Sequence, residues 1–301
     1  LADLIVGAPA GDPSGLTNAG LSYVVFGKTS GTTVDLRPSS IGTDGFAING
    51  QSAGDNSGYS VASAGDVNGD GLGDLIVSAP ESDPTGLDYA GRSYVVFGHT
   101  GVTTVELSAV AGGYGGFLIN GQLEGEQSGN SVSGAGDING DGLADLIVGA
   151  PYSATTAGPD AGRSYVVYGK TTGTAVSLSA LVSGQDGFMI NGQCRNDFSG
   201  LSVSGAGDVN GDGLADLIVG ASNSDPSAGE EAGRSYVIFG STSGGAFVQT
   251  AVDVMGGASA DSLSDGAEAK TLVGGAGDDI LAAMAASVLY GGSGNDQFVI
   301  N

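Results

Sequence analysis

Three stretches of this chain set oxygen-bearing side chains at alternate positions: Asp66-Val-Asn68-Gly-Asp70-Gly-Leu72-Gly-Asp74, Asp137-Ile-Asn139-Gly-Asp141-Gly-Leu143-Ala-Asp145 and Asp208-Val-Asn210-Gly-Asp212-Gly-Leu214-Ala-Asp216. Within each loop the side-chain oxygens fall at positions 1, 3, 5 and 9. Glycine at position 6 permits the sharp turn that curls a loop around one point. Leu72, Leu143 and Leu214 at position 7 offer a backbone carbonyl, with the side chain expected to turn to the core. Every donor is a hard oxygen, with no His or Cys, which selects Ca²⁺ over zinc or copper. Mg²⁺ is disfavoured because it demands near-ideal octahedral geometry and keeps its waters. A set of Asx turns without metal is the alternative for any one loop. Three copies, each crowding three carboxylates into nine residues, repel strongly unless a cation screens them. Three Ca²⁺ ions would bring the formal charge from −25 to −19. Leu1-Ala-Asp3 holds only the last donor of a further copy.

The spacing is similar to the first half of an EF-hand loop. It closes on Asp at position 9 instead of Glu at position 12, and no helical pattern flanks it, so an EF-hand is not expected. Other residues that could do chemistry are few. His99 is the only histidine, and Lys28, Lys170 and Ser241 hold the equivalent positions, which argues against a catalytic or metal role. A Ser-His-Asp site would need that one His beside a positioned Ser. No catalytic residue is expected. Cys194 is the only cysteine and reads as a semi-buried structural thiol. Arg92, Arg163 and Arg234 recur in Ala-Gly-Arg-Ser-Tyr-Val, either paired with neighbouring carboxylates or forming a ring that faces an anionic ligand.

Acidic residues outnumber basic ones 33 to 8, so the basic stripe a nucleic-acid binder needs is missing and attraction to anionic lipid is unfavourable. The longest apolar run, 281–290, is too short to span a bilayer, and no signal-peptide pattern opens the chain. Glycine is abundant at 58 residues without a Gly-X-Y period, which fits many tight turns between short strands.

The loops belong to a repeat. Asp3, Asp74, Asp145 and Asp216 lie 71 residues apart, as do Tyr23, Tyr94, Tyr165 and Tyr236, and as do Phe46, Phe117 and Phe188. Within one unit, 46–49, 59–64, 75–79 and 93–97 read as strands bounded by Gly, Asn, Asp or Pro. No segment of this part has sustained helical periodicity. Four short strands per unit predict an all-β chain of propeller blades. The expected units are a half blade over 1–27 and full blades over 46–98, 117–169 and 188–240. Three and a half blades suit a segment of a longer polypeptide. A small four-bladed ring, completed by 247–254, is the other arrangement. A linker over 241–255 and a different pattern over 256–301 follow. There, Gly-Gly starts at 256, 274 and 291 are 18 and then 17 residues apart, which suits paired nine-residue half-turns of a parallel β-roll.

The stretches SGYSVASAGDVNGDGLGDLIVSAP, SGNSVSGAGDINGDGLADLIVGAP and SGLSVSGAGDVNGDGLADLIVGAS resemble the FG-GAP repeats of the integrin α-subunit propeller and its bacterial relatives. The resemblance implies Ca²⁺ in each blade loop, away from the main ligand-binding surface. Two departures stand out: Ser57, Ser128 and Ser199 replace the family's Phe, and Ser222 replaces the final Pro. The C-terminal pattern is similar to the nonapeptides of repeats-in-toxin (RTX) proteins. That resemblance puts Asp279 and Asp296 at the ligand position, and Asp261 as well, in a copy where Ser259 replaces the third glycine. It puts Leu263, Leu281 and Phe298 at the inward apolar position, and implies one-step bacterial export and folding in external calcium.

The function expected is a secreted or cell-surface, calcium-binding adhesion or ligand-binding module, bacterial in origin. Its partner would be an extracellular protein or polysaccharide, or copies of itself, with no nucleic acid and no membrane insertion. The variable stretches 81–89, 152–160 and 223–231 are its candidate contact face. A matrix, surface-layer or filament protein is the alternative. A propeller-containing hydrolase would need catalytic residues outside this chain.

Overall fold

The computed structural model describes residues 1–37, 40–184, 186–224, 232–241, 252–255, 260–266, 271–276, 278, 280–284, 288–293 and 297–300. They fall into two compact units, Leu1–Ser235 with Phe239–Ala246, and Tyr236–Ile238 with Phe247–Asn301.

In chain order the strands are β1 (Leu4–Ala8), β2 (Leu21–Val25), β3 (Gly45–Asn49), β4 (Val61–Gly65), β5 (Asp74–Ala79), β6 (Arg92–Val96), the two-residue β7 (Val105–Glu106) and β8 (Gly116–Asn120). Then come β9 (Ser131–Gly136), β10 (Asp145–Ala150), β11 (Arg163–Val167), the two-residue β12 (Val176–Ser177), β13 (Gly187–Asn191), β14 (Ser202–Gly207), β15 (Asp216–Ala221) and β16 (Arg234–Ile238). The sheets run β1–β2–β3–β7, β4–β5–β6–β8–β12, β9–β10–β11–β13 and β14–β15–β16. Long strands pair antiparallel, and each short strand adds in parallel to the outer strand of the sheet before its own: β7 on β3, β12 on β8. These sheets are propeller blades.

The hydrogen-bonded grouping differs from the one expected. Phe46–Asn49 closes the sheet behind it, pairing with β2, and Phe117 and Phe188 do the same with β6 and β11. A complete sheet therefore spans about 61–120 or 131–191, not 46–98 or 117–169. A second difference is a single helical turn, α1 (Leu107–Ala111), too short to leave a period in the sequence.

The core lies between successive sheets. Ile76, Val95, Phe117 and Ile119 of one blade meet Leu146, Val148 and Tyr165 of the next, all buried. Inner strands approach backbone to backbone. A methyl at Gly134 would sit 2.6 Å from the Ser63 carbonyl, and one at Gly205 would sit 2.7 Å from the Gly134 carbonyl, so only glycine fits either place. Ser60 Oγ accepts from Val132 N at 3.2 Å and Ser131 Oγ from Val203 N at 3.1 Å, which ties inner strands across blades.

In the second unit β17 (Val252–Met255), β19 (Thr271–Ala276) and β21 (Val288–Ser293) form one parallel sheet, and β18 (Ser262–Ser264), β20 (Ile280–Ala283) and β22 (Gln297–Ile300) another. The strands alternate between the sheets in chain order, the topology of a parallel β-roll. Leu281 is fully buried, but Phe298, expected to point inward, is 51% exposed because it lies on the edge strand β22.

Candidate metal centres

Each acidic loop leaves a bulge at the end of an inner strand and re-enters the fold at the next strand. The pairing slips between Ser63 and Gly65, with Gly65 at φ +79°, and Asp66 follows at once. Such a bulge re-aims the chain. Gly71, Gly142 and Gly213 at position 6 have φ of +87°, +89° and +90° with open space around them, so backbone conformation alone demands glycine there.

The side chains first organise their own loop. Asp66 Oδ1 accepts from Gly69 N at 2.8 Å and Asp70 N at 3.1 Å, and its Oδ2 accepts from Gly71 N at 2.9 Å. Asn68 Oδ1 accepts from Asp70 N at 2.8 Å, and Asn68 Nδ2 donates to Asp70 Oδ2 at 3.0 Å. Asp70 Oδ1 accepts from Leu72 N at 2.8 Å. Asp137, Asn139 and Asp141 repeat the pattern, as do Asp208, Asn210 and Asp212.

Position 9 has a role that spacing alone did not reveal. Asp74 is fully buried, and its Oδ2 accepts from Val67 N at 2.8 Å while its Oδ1 accepts from Gly98 N at 2.7 Å. Asp145 joins Ile138 N to Gly169 N, and Asp216 joins Val209 N to Gly240 N, in the same way. Asp3 keeps half of this, accepting from Gly27 N at 2.8 Å. The carboxylate therefore clamps the loop to the exit of the third strand of its blade. Burial pushes Asp145 up to about 7, two backbone donors pull the other way, and the charges of Asp141 and Asp137 add to the rise. Asp74 is raised for the same reasons. The loops are also joined to one another: Ala144 N donates to the Asp66 carbonyl at 3.0 Å and Ala215 N to the Asp137 carbonyl at 2.9 Å.

Among the described residues no three Asp, Glu, His or Cys side chains converge as a metal cage. The donor set nevertheless fits a hard cation. A carboxylate oxygen that accepts one N–H bond keeps a second lone pair. Asn68 Nδ2 and Asp70 Oδ2 bond only to each other across an exposed loop, so that one contact is all a cation would have to displace to reach Asp70 Oδ2. The position 7 leucines depart from expectation. Leu72 is 39% exposed, with its Cβ over Gly98, and Leu143 lies across Gly69 of the preceding loop; neither enters the core. Asp279 and Asp296 lie outside the described residues. Nearby, Asp265 is fully buried, and its Oδ2 accepts from Met284 N at 2.8 Å.

Spacing also passed over a second set of acids. Asp55, Glu126 and Asp197, 71 residues apart and two residues before each Ser-Gly, are all buried. Glu126 is fully used: Oε1 accepts from Gln122 N and Leu123 N, and Oε2 accepts from Ser153 Oγ at 2.8 Å and Tyr165 OH at 2.9 Å. Their period was the available signal, masked by the Asp/Glu alternation. The arginines pair with amide oxygens, not carboxylates: Arg92 Nε with Asn120 Oδ1, Arg163 Nε with Asn191 Oδ1 and Arg234 Nη1 with Gln193 Oε1. Asn120 and Asn191 lie directly across from Arg92 and Arg163 on the neighbouring strand, whereas Gln193 lies just past the end of β13, in the preceding sheet. His99 stacks on Phe46 with ring centroids 4.7 Å apart, and Lys170 covers Phe117 at 4.5 Å, so this position caps an outer-strand phenylalanine. Cys194 is exposed, because it falls in the loop after β13.

The variable stretches lie at the other end of the blades. The 66–73 loop enters β5 and the 80–91 connection leaves it, so 81–89 is at the end opposite the acidic loop, and 152–160 likewise. Of 223–231 only 223–224 are described.

The FG-GAP repeat family model matches residues 57–96, 128–167 and 199–238, which run from each Ser-Gly to the end of β6, β11 and β16. Integrin alpha-5 of Xenopus laevis is 31% identical over 224 residues, 73% of this chain and 18% of the relative. Integrin alpha-PS2 of Drosophila melanogaster is 32% identical over 185 residues, 60% of this chain and 12% of the relative. Phosphatidylinositol-glycan-specific phospholipase D of Bos taurus is 32% identical over 166 residues, 54% of this chain and 18% of the relative. The chain thus spans less than a fifth of these relatives. Three FG-GAP repeats occupy 57–96, 128–167 and 199–238, in a chain similar to integrin α-subunits across its repeat-bearing part.

Proposed function

We propose that this protein is a non-enzymatic adhesion or ligand-binding module, secreted or held at a bacterial cell surface, whose blade loops are fixed by calcium. The observation that carries the reading is the uniformity of the three loops. Each keeps oxygen donors at positions 1, 3, 5 and 9, and each is joined to the next through an Ala N–H on the position 1 carbonyl. Asp66, Asn68, Asp70, Asp74 and the Leu72 carbonyl would hold one ion. The sets at Asp137, Asn139, Asp141, Leu143 and Asp145, and at Asp208, Asn210, Asp212, Leu214 and Asp216, would hold two more. The ion would neutralise charge that the loop now manages with backbone N–H groups and one asparagine amide. Asp279 and Asp296 are proposed as ligands in the RTX-like unit, whose parallel strand order supports that assignment.

Binding would take place at the opposite ends of the blades, where 81–89 and 152–160 vary between otherwise similar repeats. The partner class is an extracellular protein, a polysaccharide or a second copy of the chain. The likeness to integrin α-subunits supports adhesion over hydrolysis. The phospholipase D relatives share only a region of this length, so no catalytic group is carried over. Among the described residues no helix is long and apolar enough to cross a membrane. Isothermal titration with Ca²⁺ tests the reading. Asp70→Ala and Asp141→Ala should each remove one binding event from the wild-type total. An unchanged stoichiometry in both variants would contradict the assignment.

A further inference from the structure

The chain contains six Asn-Gly pairs, at 49–50, 68–69, 120–121, 139–140, 191–192 and 210–211. Glycine offers no side chain to hinder its own nitrogen, so Asn-Gly is the sequence in which an asparagine most readily cyclises on its backbone. The Gly nitrogen attacks Asn Cγ, the new N–Cγ bond forms and the Cγ–Nδ2 bond breaks. Nδ2 departs as ammonia, carrying the proton that the glycine nitrogen gives up. Water then opens the cyclic imide at either carbonyl, leaving aspartate or its backbone-shifted isomer, isoaspartate.

The structure divides the six pairs into two classes. Gly50, Gly121 and Gly192 are buried at the ends of outer strands, and their nitrogens donate to the carbonyls of Gly20, Gly91 and Gly162 at 2.9, 2.9 and 2.8 Å. A methyl at any of these glycines would lie within 2.0 Å of a neighbouring carbonyl oxygen, so the backbone there is too tightly packed to bend into an imide ring. Gly69, Gly140 and Gly211 are exposed in the acidic loops. Only two restraints hold each of those asparagines: the Gly nitrogen is turned onto the Asp at position 1 (2.8, 2.7 and 2.7 Å), and the asparagine side chain is held by the Asp at position 5.

We infer that Asn68, Asn139 and Asn210 are self-modification sites, restrained by the folded acidic loop and released when it opens. Conversion to Asp adds a carboxylate at position 3, making positions 1, 3 and 5 all anionic. Conversion to isoaspartate inserts a backbone carbon and breaks the alternation on which the loop depends. The loops would therefore keep a chemical record of time spent open.

The test uses the full chain, aged at mildly alkaline pH and mapped by peptide mass spectrometry with isoaspartate-specific fragmentation. In native protein the loop asparagines should convert slowly and the strand-end asparagines not at all, whereas in urea all six should convert at comparable rates. Asp66→Ala removes the acceptor that holds Gly69 N and should speed Asn68 by about tenfold over Asn139 and Asn210 in the same molecules. If Asn49 and Asn120 also begin to convert, that blade has opened. Asp70→Ala, which frees Asn68 Nδ2 and Leu72 N but leaves Gly69 N on Asp66, then decides by the same ratio. Loop asparagines converting as fast in native protein as in urea would overturn the inference, as would an Asn68 rate equal to its two counterparts in the deciding variant. The inference rests on the loop's own hydrogen bonds. A parallel arm with chelator separates it from the calcium reading: equal native rates with and without chelator would count against calcium and leave the variant comparison intact.

Discussion

At the residue scale, the repeat carries its own controls. Asp55 and Glu126 hold the same place in successive blades and differ by one methylene. The longer side chain reaches Ser153 and Tyr165, whereas Asp55 Oδ2 and Ser82 Oγ stay unpartnered and Tyr94 OH turns to Gln51 Oε1 instead. Burial also raises the Asp55 pKa. Asp55→Glu should complete the network and raise stability by about 1 kcal/mol, read as a higher melting temperature; a lower one would mean that the extra methylene overpacks the site. Titration gives a second expectation. Asp145 binds its proton more tightly in the folded protein than in the unfolded chain, so the native state holds more protons between the two pKa values. Stability of calcium-free protein should therefore fall as pH rises from about 4 to about 7. Calcium, by favouring the carboxylate, should oppose that fall. Urea midpoints across this window, in chelator and in calcium, measure both; a chelated protein that gains stability with pH would refute the burial argument. The donors at positions 1, 3, 5 and 9 were legible because alternation of Asp and Asn with Gly is a local pattern. The clamp made by Asp74 was not, because its second partner, Gly98 N, lies just past the end of β6, 24 residues away.

At the scale of elements, the loops facing away from the acidic loops store strain at fixed places. Asn18, Tyr89 and Asp160 have φ of +51°, +53° and +52°, and Asn56, Gln127 and Phe198 have +52°, +49° and +52°. The two sets are joined in pairs: Asn56 N donates to the Asn18 carbonyl, Gln127 N to Tyr89 and Phe198 N to Asp160, at 3.0 Å each. The backbone is constant while the side chains differ from blade to blade, a combination suited to presenting variable groups in a fixed frame. A left-handed conformation costs a bulky residue such as Tyr roughly 1–2 kcal/mol. Tyr89 is 52% exposed, so Tyr89→Gly should relieve that strain with little lost packing. After the entropy that glycine adds to the unfolded chain, the net gain should be about 0.5 kcal/mol. If this end of the blades binds the partner, affinity should fall as stability rises; a variant that loses stability would argue that the tyrosine side chain is structural. Asp74→Asn tests the clamp between loop and strand. It leaves one N–H facing an NH₂ group, and a loss of about 1–3 kcal/mol is expected in the denaturant midpoint. Strand positions were readable from short apolar runs bounded by Gly, Asn and Pro. Which strands share a sheet was not, because a periodic sequence fixes the order of strands but not the end of the repeat at which hydrogen bonding closes. Phe46–Asn49 proved to be the last strand of one blade, not the first of the next.

At the scale of the whole molecule, a chain with 33 acidic and 8 basic residues concentrates its like charges in loops that are bonded in series. Asp66 bonds to Ala144 of the next repeat, and Asp137 to Ala215 of the one after, so stiffening one loop braces its neighbour. A cation bound only by the folded state adds its binding free energy to stability, about 2.7 kcal/mol per site at a hundredfold excess over Kd. Extracellular modules bind calcium at roughly 10⁻⁴–10⁻³ M. Thermal unfolding of the full chain followed by circular dichroism, in millimolar calcium and after exhaustive chelation, tests the central claim most directly. The account predicts a large fall in melting temperature on chelation, reversed by added calcium, and smaller in Asp70→Ala, which has one site fewer to lose. Coincident melting curves with and without calcium would contradict it.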